Sequence, residues 1–342
     1  MLARRGGQMK SLRTLVVLVV LVVAAVAGAS AWWLNRPLDL AADSVELSIE
    51  LGTPPRDVAM AWVQAGVQAS PTLLYEWFRW SGQARKIRAG SYEINRGVTP
   101  MALLNKMVRG DESLAVVRLI EGWTFRQFRA ELAKADSLKP TTAAMTDDEI
   151  MQALGAPGVQ PEGRFSPDTY AYSKGSTDIA VLRRAFRAMQ KRLDAAWLER
   201  TPDTPLQSQN DALVLASIVE KETGVGADRG RVAGVFVNRL RLGMPLQTDP
   251  TVIYGLGTSF DGNLRKRDLQ TDTPYNTYLR AGLPPTPIAM PGKAALIAAV
   301  RPDPTKALYF VARGDGSSEF SETLADHNRA VNAFQRNGPR GK

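Results

Sequence analysis

The run from Leu15 to Leu34 constrains this chain more than any other feature. It is uncharged and almost wholly apolar, and a helix of about 20 such residues can cross a hydrocarbon core of about 30 Å. Basic residues precede it at positions 4, 5, 10 and 13, whereas acidic residues follow it at 39, 43 and 46. By the positive-inside rule, this asymmetry predicts a cytoplasmic N-terminus and an exported chain.

A cleaved signal peptide is the alternative, because Ala29-Ser30-Ala31 has the small residues of a cleavage site. The apolar run is longer than the roughly 7–15 residues of a typical signal peptide core. We therefore expect a cytoplasmic tail at 1–14 and an uncleaved, single-pass transmembrane helix at 15–35. Both interpretations export the rest of the chain.

Composition limits the chemistry of the exported part. The 342 residues include no cysteine and a single histidine, His327, which excludes disulfide scaffolds, Cys-type zinc sites and Cys/His nucleophile pairs. No metal or organic cofactor is implied, so the chemistry must use carboxylates, hydroxyls, amides or cations. Four of the nine net positive charges fall in the tail. The modest remaining charge suits an anionic wall or membrane surface rather than nucleic acid.

The pattern of residues 40–115 predicts a small β–α–α–β–α unit. Its expected elements are a strand over Val45–Leu51, a helix from Thr53-Pro54-Pro55 to Val67, apolar Leu73–Trp80, a strand over Ile87–Ile94, and a helix over Met101–Val108 that ends at Gly110. This order resembles a LysM-like glycan-binding module. A packing or spacer domain without a ligand fits the pattern equally well.

The remaining residues predict a connecting helical region at 116–205 and a mixed helical/β domain at 206–336. Expected elements are a strand at Val116–Ile120, helices at Thr124–Lys134, Asp147–Leu154 and Asp178–Arg200, then helices at Asp211–Glu222, Arg229–Leu242 and Gly292–Val300 around a loop-rich stretch at 243–291, a hairpin of Leu308–Ala312 with Glu319–Ser321, and a final helix carrying His327. The Glu162–Tyr170 segment is expected to be a polar-aromatic turn. The fold class is therefore α+β.

The helix over Leu213–Val219 is nearly all apolar and should be buried, yet it ends in two carboxylates, Glu220 and Glu222. Burying an acid disfavours its charged form by up to several pKa units. Glu222 shares its helix face with Ile218 and Val219, so it should have the drier surroundings of the two.

The helix should stop at Gly224, immediately after Thr223, which places Glu222 at the negative end of the helix dipole and raises its pKa further. A carboxyl group that stays protonated near neutral pH is what acid catalysis of glycosidic cleavage requires. An ordinary solvated Glu-Lys-Glu helix end is the alternative interpretation.

Downstream loops concentrate amides, hydroxyls and aromatic rings, which suit a sugar-binding groove. Ordinary turn chemistry explains each loop taken singly. Asp249 could be a second catalytic carboxylate or a helix N-cap, and we favour a structural or substrate-orienting role. The candidate substrate-binding residues are Gln247, Thr248, Asp249, Tyr254, Tyr275, Asn276 and Tyr278.

Several long motifs follow one another along the chain: Leu215–Thr223, Val235–Leu240, Leu246–Gly255 and Tyr275–Tyr278. In this order they resemble the MltG (YceG-like) endolytic murein transglycosylases, with further likeness at Arg88–Tyr92 and Glu162–Tyr170. One departure is Phe165-Ser166-Pro167, where similar proteins often have Phe-Phe/Trp-Pro; it affects a local packing contact.

The resemblance implies a lyase that cuts the β-1,4 bond between N-acetylmuramic acid and N-acetylglucosamine within a glycan strand and leaves a 1,6-anhydro end. The family's catalytic glutamate, the one followed by Thr, falls on Glu222, and Glu220 is assigned to shaping the site. The sugar's own 6-hydroxyl would be the nucleophile, so no carboxylate nucleophile is required.

The resemblance also implies a location and partners. The catalytic domain would lie on the extracytoplasmic side of the bacterial inner membrane, near cell-wall synthases, and would terminate nascent strands. Two alternatives remain open: a hydrolytic muramidase in which Asp249 or another acid activates water, and a non-catalytic peptidoglycan-binding scaffold.

Overall fold

The structure is a computed structural model that describes residues 3–222 and 226–336. The fold is α+β, which confirms the predicted class. The chain divides into two compact units, the first formed by Met1–Ala115 with Tyr172–Gly175 and the second by Val116–Ala171 with Ser176–Lys342. The finer division at 40–115, 116–205 and 206–336 stays a prediction.

The first unit begins with the long helix α1 and continues as a small mixed fold. Its elements are α1 (Ala3–Asn35), β1 (Asp39–Leu40), β2 (Ser44–Ile49), α2 (Pro55–Ala65), β3 (Val67–Gln68), α3 (Pro71–Trp80), β4 (Gly90–Asn95) and α4 (Pro100–Arg109). Strand β2 pairs antiparallel with β4, and β1 pairs antiparallel with β3. The helices and β4 enclose a core centred on Trp62, Phe78 and Tyr92.

Most of the predicted order of this unit is confirmed. Thr99 caps the start of α4 and Gly110 ends it in the left-handed conformation at φ 72°. The predicted strand at Ile87–Ile94 was wrong at its start, because the strand begins only at Gly90. There φ is +152° and a Cβ would meet the Glu112 side chain at 2.3 Å, so the site requires glycine.

Helix α1 contains a candidate membrane span over Leu15–Asn35, with a mean hydropathy of 2.7 and exposed side chains throughout its most apolar stretch. Its length and composition suffice to cross a bilayer. At its end, Trp33 packs against the core of the first unit, and the Leu38 N–H donates to the Val98 carbonyl at 2.8 Å. The helix therefore leads into the folded unit with almost no intervening chain.

The second unit is largely helical. Its elements are β5 (Leu114–Leu119, which begins in the first unit), α5 (Phe125–Lys134), α6 (Asp147–Ala153), β6 (Asp168–Ser173, which ends in the first unit), α7 (Asp178–Leu198), α8 (Gln209–Glu222), α9 (Arg229–Arg241), α10 (Asp249–Leu256), α11 (Lys266–Leu269), α12 (Lys293–Val300), β7 (Tyr309–Ala312), β8 (Ser318–Ser321) and α13 (Leu324–Val331). Strand β5 pairs with β6. Strands β7 and β8 form an antiparallel hairpin, which confirms the predicted one.

Two predictions for this unit needed correction. The Glu162–Tyr170 segment is a turn only in its first part, because β6 begins at Asp168. The stretch 243–291 contains the helices α10 and α11 rather than loops alone. Both corrections concern short elements rich in Thr, Tyr and Pro, where periodicity is weak.

Helix α8 lies at the centre of the second unit's core. Every side chain from Ala212 to Val219 is at most 1% exposed, and α7, α9, α10 and α12 pack around it. Truncating a fully buried side chain such as Leu215 to alanine is therefore expected to cost about 2–5 kcal/mol. The predicted stop at Thr223-Gly224 lies outside the described residues.

Candidate active site

Glu222 is the last described residue of α8 and is half-buried. The Thr248 hydroxyl donates a hydrogen bond to its carboxylate. Burial raises the pKa of Glu222, and the nearby Asp249 carboxylate raises it further; the Thr248 hydrogen bond and the Arg239 guanidinium act in the opposite direction. The result is a carboxyl group more readily protonated than a free glutamate.

The loop before α10 brings Thr248 to this carboxyl group. Gln247 is exposed and takes the left-handed conformation at φ 50°, and its N–H donates to the Thr277 carbonyl at 3.0 Å. Thr248 is 2% exposed, and its N–H donates to the Thr277 hydroxyl at 3.1 Å. Asp249 is exposed and accepts a hydrogen bond from the Tyr278 hydroxyl at 2.6 Å. Thr248, Asp249 and Tyr278 are thus gathered around Glu222.

A buried cation, Arg239, interacts electrostatically with Glu222. Its guanidinium donates to the carbonyls of Leu308 and Leu246, each at 2.7 Å, and burial lowers its pKa. The guanidinium also lies 5.2 Å from the ring of Tyr309, on which His327 stacks at 5.3 Å. Sequence reasoning missed Arg239, because an arginine within a helix gives no local sign that it will be buried.

Glu220 has a different environment. Its carboxylate accepts the Gly292 N–H at 2.9 Å, at the start of α12, where glycine offers no capping side chain. Burial raises the pKa of Glu220; the bond from Gly292 lowers it, and the nearby Glu121 raises it. Glu220 therefore holds α8 against the N-terminus of α12.

A cleft of about 730 Å³ opens within the second unit. Its lining residues include Glu162, Lys221, Tyr254 and Tyr275. Glu222 itself is not among the lining residues, although Lys221 and Pro250, the neighbours of Glu222 and Asp249 in the chain, are.

Glu162 is one of two carboxyl groups that line the cleft, the other being Asp147, and it is only 8% exposed. The Phe125 N–H donates to it at 3.0 Å, and the Tyr254 hydroxyl donates to it at 3.2 Å. Burial raises the pKa of Glu162 to about 7, against the lowering effect of these bonds. Sequence reasoning placed Glu162 in a dense polar turn but gave it no role.

Two of the predicted sugar-binding rings form one wall of the cleft. Tyr254 and Tyr275 pack edge to face with ring centroids 4.8 Å apart, and the Tyr275 hydroxyl lies 2.8 Å from the Thr286 hydroxyl. Gly255 permits this packing, because a Cβ there would lie 2.4 Å from the Thr273 hydroxyl. Asn276 is fully buried, and its amide bonds to loop backbone atoms, including the Thr271 carbonyl at 2.7 Å.

Within residues 3–222 and 226–336, no group of three or more Asp, Glu or His side chains is arranged to hold a metal ion. What the site offers is aromatic surface, hydroxyl groups and enclosed carboxyls of raised pKa. Such a site on an α+β scaffold is typical of one class of protein, the carbohydrate-cleaving enzymes that use general acid/base catalysis.

The chain belongs to the YceG-like family, whose sequence pattern matches residues 47–333. It is 30% identical over 308 residues to the endolytic murein transglycosylase of Bacillus subtilis strain 168, covering 85% of each chain. It is 27% identical to the endolytic murein transglycosylase of Streptococcus pneumoniae strain D39, covering 84% of this chain but 58% of that longer protein. The family prediction is confirmed.

A solved structure supports the same assignment. The yceG-like protein of Listeria monocytogenes superposes with a TM-score of 0.52 at 26% identity, covering 84% of this chain and 98% of that one.

Proposed function

We propose that this protein is an endolytic peptidoglycan lytic transglycosylase that cuts the β-1,4 bond between N-acetylmuramic acid and N-acetylglucosamine and leaves 1,6-anhydro ends. The names of its relatives support the activity and the substrate class. The observation that carries the residue assignment is the Glu222 carboxyl group, enclosed at the end of α8 and hydrogen-bonded by Thr248.

Glu222 acts first as an acid and then as a base. Its proton passes to the leaving oxygen of N-acetylglucosamine as the bond from that oxygen to the muramyl C1 breaks. The resulting carboxylate then takes the proton of the muramyl 6-hydroxyl while that oxygen bonds to C1. No water is consumed, so the two products together have the mass of the substrate.

The surroundings of Glu222 suit both steps. Asp249 and burial favour the protonated form that starts the reaction, while the Thr248 hydroxyl and the Arg239 charge stabilise the carboxylate that forms next. The net effect raises the pKa of Glu222, while the Thr248 and Arg239 contacts remain in place for the carboxylate that forms after proton transfer.

The other assigned residues support this acid. Glu220 shapes the site by fixing α12 against α8, and Tyr254 and Tyr275 offer faces on which sugar rings stack. The substrate-binding set we assign is Gln247, Thr248, Asp249, Tyr254, Tyr275, Asn276 and Tyr278.

The first unit adds an anchor and a glycan-binding role to the proposal. We assign 15–35 as a single-pass inner-membrane helix with a cytoplasmic N-terminus, and 40–115 as a LysM-like glycan-binding module. Helix α1 supports the anchor by its length and composition. So anchored, the enzyme would act on nascent strands beside cell-wall synthases and terminate their elongation.

Mass spectrometry of peptidoglycan digested by the wild type, Glu222→Gln and Glu220→Gln tests the proposal. We expect anhydro ends from the wild type and Glu220→Gln, and none from Glu222→Gln. Products heavier by one water would show a hydrolytic muramidase instead. A wild type that binds sacculi but releases nothing would show a scaffold.

A further inference from the structure

Glu162 is a buried ionisable group that the proposed reaction does not use. It follows Pro161 in the turn before β6, and its carboxyl group is enclosed between α5 and α10. Both oxygens of that group lie within hydrogen-bonding distance of the Phe125 N–H, at 3.0 and 3.3 Å.

Capping of α5 accounts for only one of the bonds to Glu162. Helix α5 already has a capping box, in which Thr124 and Gln127 satisfy each other's backbone N–H groups. Glu162 accepts the Phe125 N–H, which this capping box leaves without a partner, and burying its carboxyl group is unfavourable unless hydrogen bonds compensate for the lost hydration. Glu162 also takes a second bond, from Tyr254 on another helix, and faces open space in the cleft.

The carboxyl group retains capacity for one more donor. A carboxylate has about four acceptor positions; the Tyr254 hydroxyl and the N–H groups of Phe125 and Gly163 account for three. A donor in the cleft can take the fourth.

Helix α10 and its N-cap contact both Glu162 and Glu222. Thr248, at its N-cap, bonds to Glu222, and Tyr254, six residues later, bonds to Glu162. Six residues of α-helix rise roughly 9 Å, about the length of one disaccharide. The two carboxyl groups are thus tied to opposite ends of one short helix.

We propose that Glu162, as a carboxylate, accepts a hydrogen bond from a hydroxyl or amide donor of a sugar ring bound in the cleft, about one disaccharide away from the bond that Glu222 breaks. This inference rests on the proposed function, because it uses the same glycan and the same cleft. It makes Glu162 a substrate-positioning residue rather than a second acid.

The ionisation of Glu162 then controls glycan binding. Its pKa of about 7 reflects burial above all, and the groups that face it are the Tyr254 hydroxyl, which lowers the pKa, and the Asp147 carboxylate, which raises it. Three other titratable groups line the cleft: Arg126, Lys221 and Tyr275. Because the charged form is the better acceptor, affinity should rise with pH through about 7.

The test measures binding of a soluble, peptide-free oligosaccharide of alternating N-acetylglucosamine and N-acetylmuramic acid by calorimetry. The full chain carries Glu222→Gln so that the glycan is bound but not cut. From about pH 5.5 to about pH 8.5, on either side of the Glu162 pKa, we expect affinity to rise about tenfold. Adding Glu162→Gln should weaken binding about tenfold at the upper pH and remove the rise.

Two further variants move the midpoint while keeping Glu162. Tyr254→Phe removes a bond that lowers the pKa, so the midpoint should shift to higher pH, whereas Asp147→Asn should shift it to lower pH. Asp148→Asn is the matched control for the latter, because Asp148 is exposed and Asp147 is the α6 carboxylate that contributes to the Glu162 pKa. A pH profile that is unchanged in all of these proteins overturns the inference.

The outcome separates this inference from the proposed function. Anhydro products from the wild type together with unaltered glycan binding by Glu162→Gln would overturn the Glu162 contact alone. The opposite result is also informative. If the wild type forms no anhydro ends but Glu162→Gln abolishes the pH-dependent binding, the proposed reaction is overturned and the Glu162 contact is supported.

Discussion

Glu220 and Glu222 lie two residues apart on α8, and both have a pKa raised by burial, yet they accept different donors. Glu220 accepts a backbone N–H at the start of α12, whereas Glu222 accepts a side-chain hydroxyl from Thr248. A backbone donor fixed by a helix keeps its carboxyl group in place. A hydroxyl can rotate, so the carboxyl group it contacts can gain and lose a proton with little rearrangement.

Burial therefore does not separate the proposed catalytic acid from the proposed structural one. We propose that the chemical nature of the hydrogen-bond donor separates them. Glu162 is the intermediate case, since it accepts both a backbone N–H from Phe125 and a hydroxyl from Tyr254. Substituting each of the three glutamates in turn tests the distinction.

The largest effect is expected for Glu222→Gln. The amide cannot transfer the proton, so the rate of anhydro-product formation should fall roughly 10²- to 10⁴-fold, with unchanged thermal unfolding. Chromatography with mass spectrometry of released fragments measures it. A variant that retains most of the wild-type rate would show that the acid is elsewhere.

The second-largest effect is expected for Glu162→Gln, which should remove a pH dependence of the free energy of unfolding. Because burial raises the pKa of Glu162 to about 7, well above that of a glutamate in an unfolded chain, the folded state holds a proton that the unfolded state releases. Stability therefore falls as pH rises from about 4.5 to about 7. This difference in pKa between the folded and unfolded states corresponds to about 3 kcal/mol. Chemical denaturation of both proteins across this range would contradict the assignment if the two curves ran parallel.

Thr248→Val should have a moderate effect. It removes the hydroxyl that stabilises the Glu222 carboxylate, so the pKa of Glu222 should rise and the pH–rate profile should shift to higher pH. We expect kcat/KM at neutral pH to fall about tenfold, the equivalent of one hydrogen bond to a charged group. Thr248→Ser keeps the hydroxyl and serves as the control; a shift of equal size in both variants would argue against this contact.

The smallest effect is expected for Glu220→Gln. Its amide oxygen can still accept the Gly292 N–H, so the free energy of unfolding should change by less than about 1 kcal/mol, whereas Glu220→Ala should lose about 1–2 kcal/mol. Anhydro ends should still form. If Glu220→Gln lost cleavage as completely as Glu222→Gln, the proposed division between a catalytic Glu222 and a structural Glu220 would be wrong.

Local pattern was enough to predict helix α8 and the β7–β8 hairpin. The apolar run of α8 and the Gly314-Asp315-Gly316 turn are signals carried by neighbouring residues. Strand β6 and helix α10 were harder, because their Thr-, Tyr- and Pro-containing sequences suit strand, helix and turn alike. Tertiary packing selects among these states.

The contacts of Glu162 could not be predicted from the sequence for a different reason. Two of its hydrogen-bond partners, Phe125 and Tyr254, are 37 and 92 residues away along the chain. No spacing rule relates residues so distant, and only the folded chain brings them together. The same holds for Arg239, which bonds to the Leu308 carbonyl 69 residues away.

The short connection after α1 determines where the first unit can act. Trp33 packs against the unit's core, and β1 begins at Asp39, four residues after the helix ends at Asn35. With α1 in a bilayer, as we propose, so short a connection keeps the first unit close to the membrane surface. The first unit would stay at a constant height just above the lipid headgroups, and it would encounter glycan at the level where new strands emerge rather than in the older, outer layers of the wall.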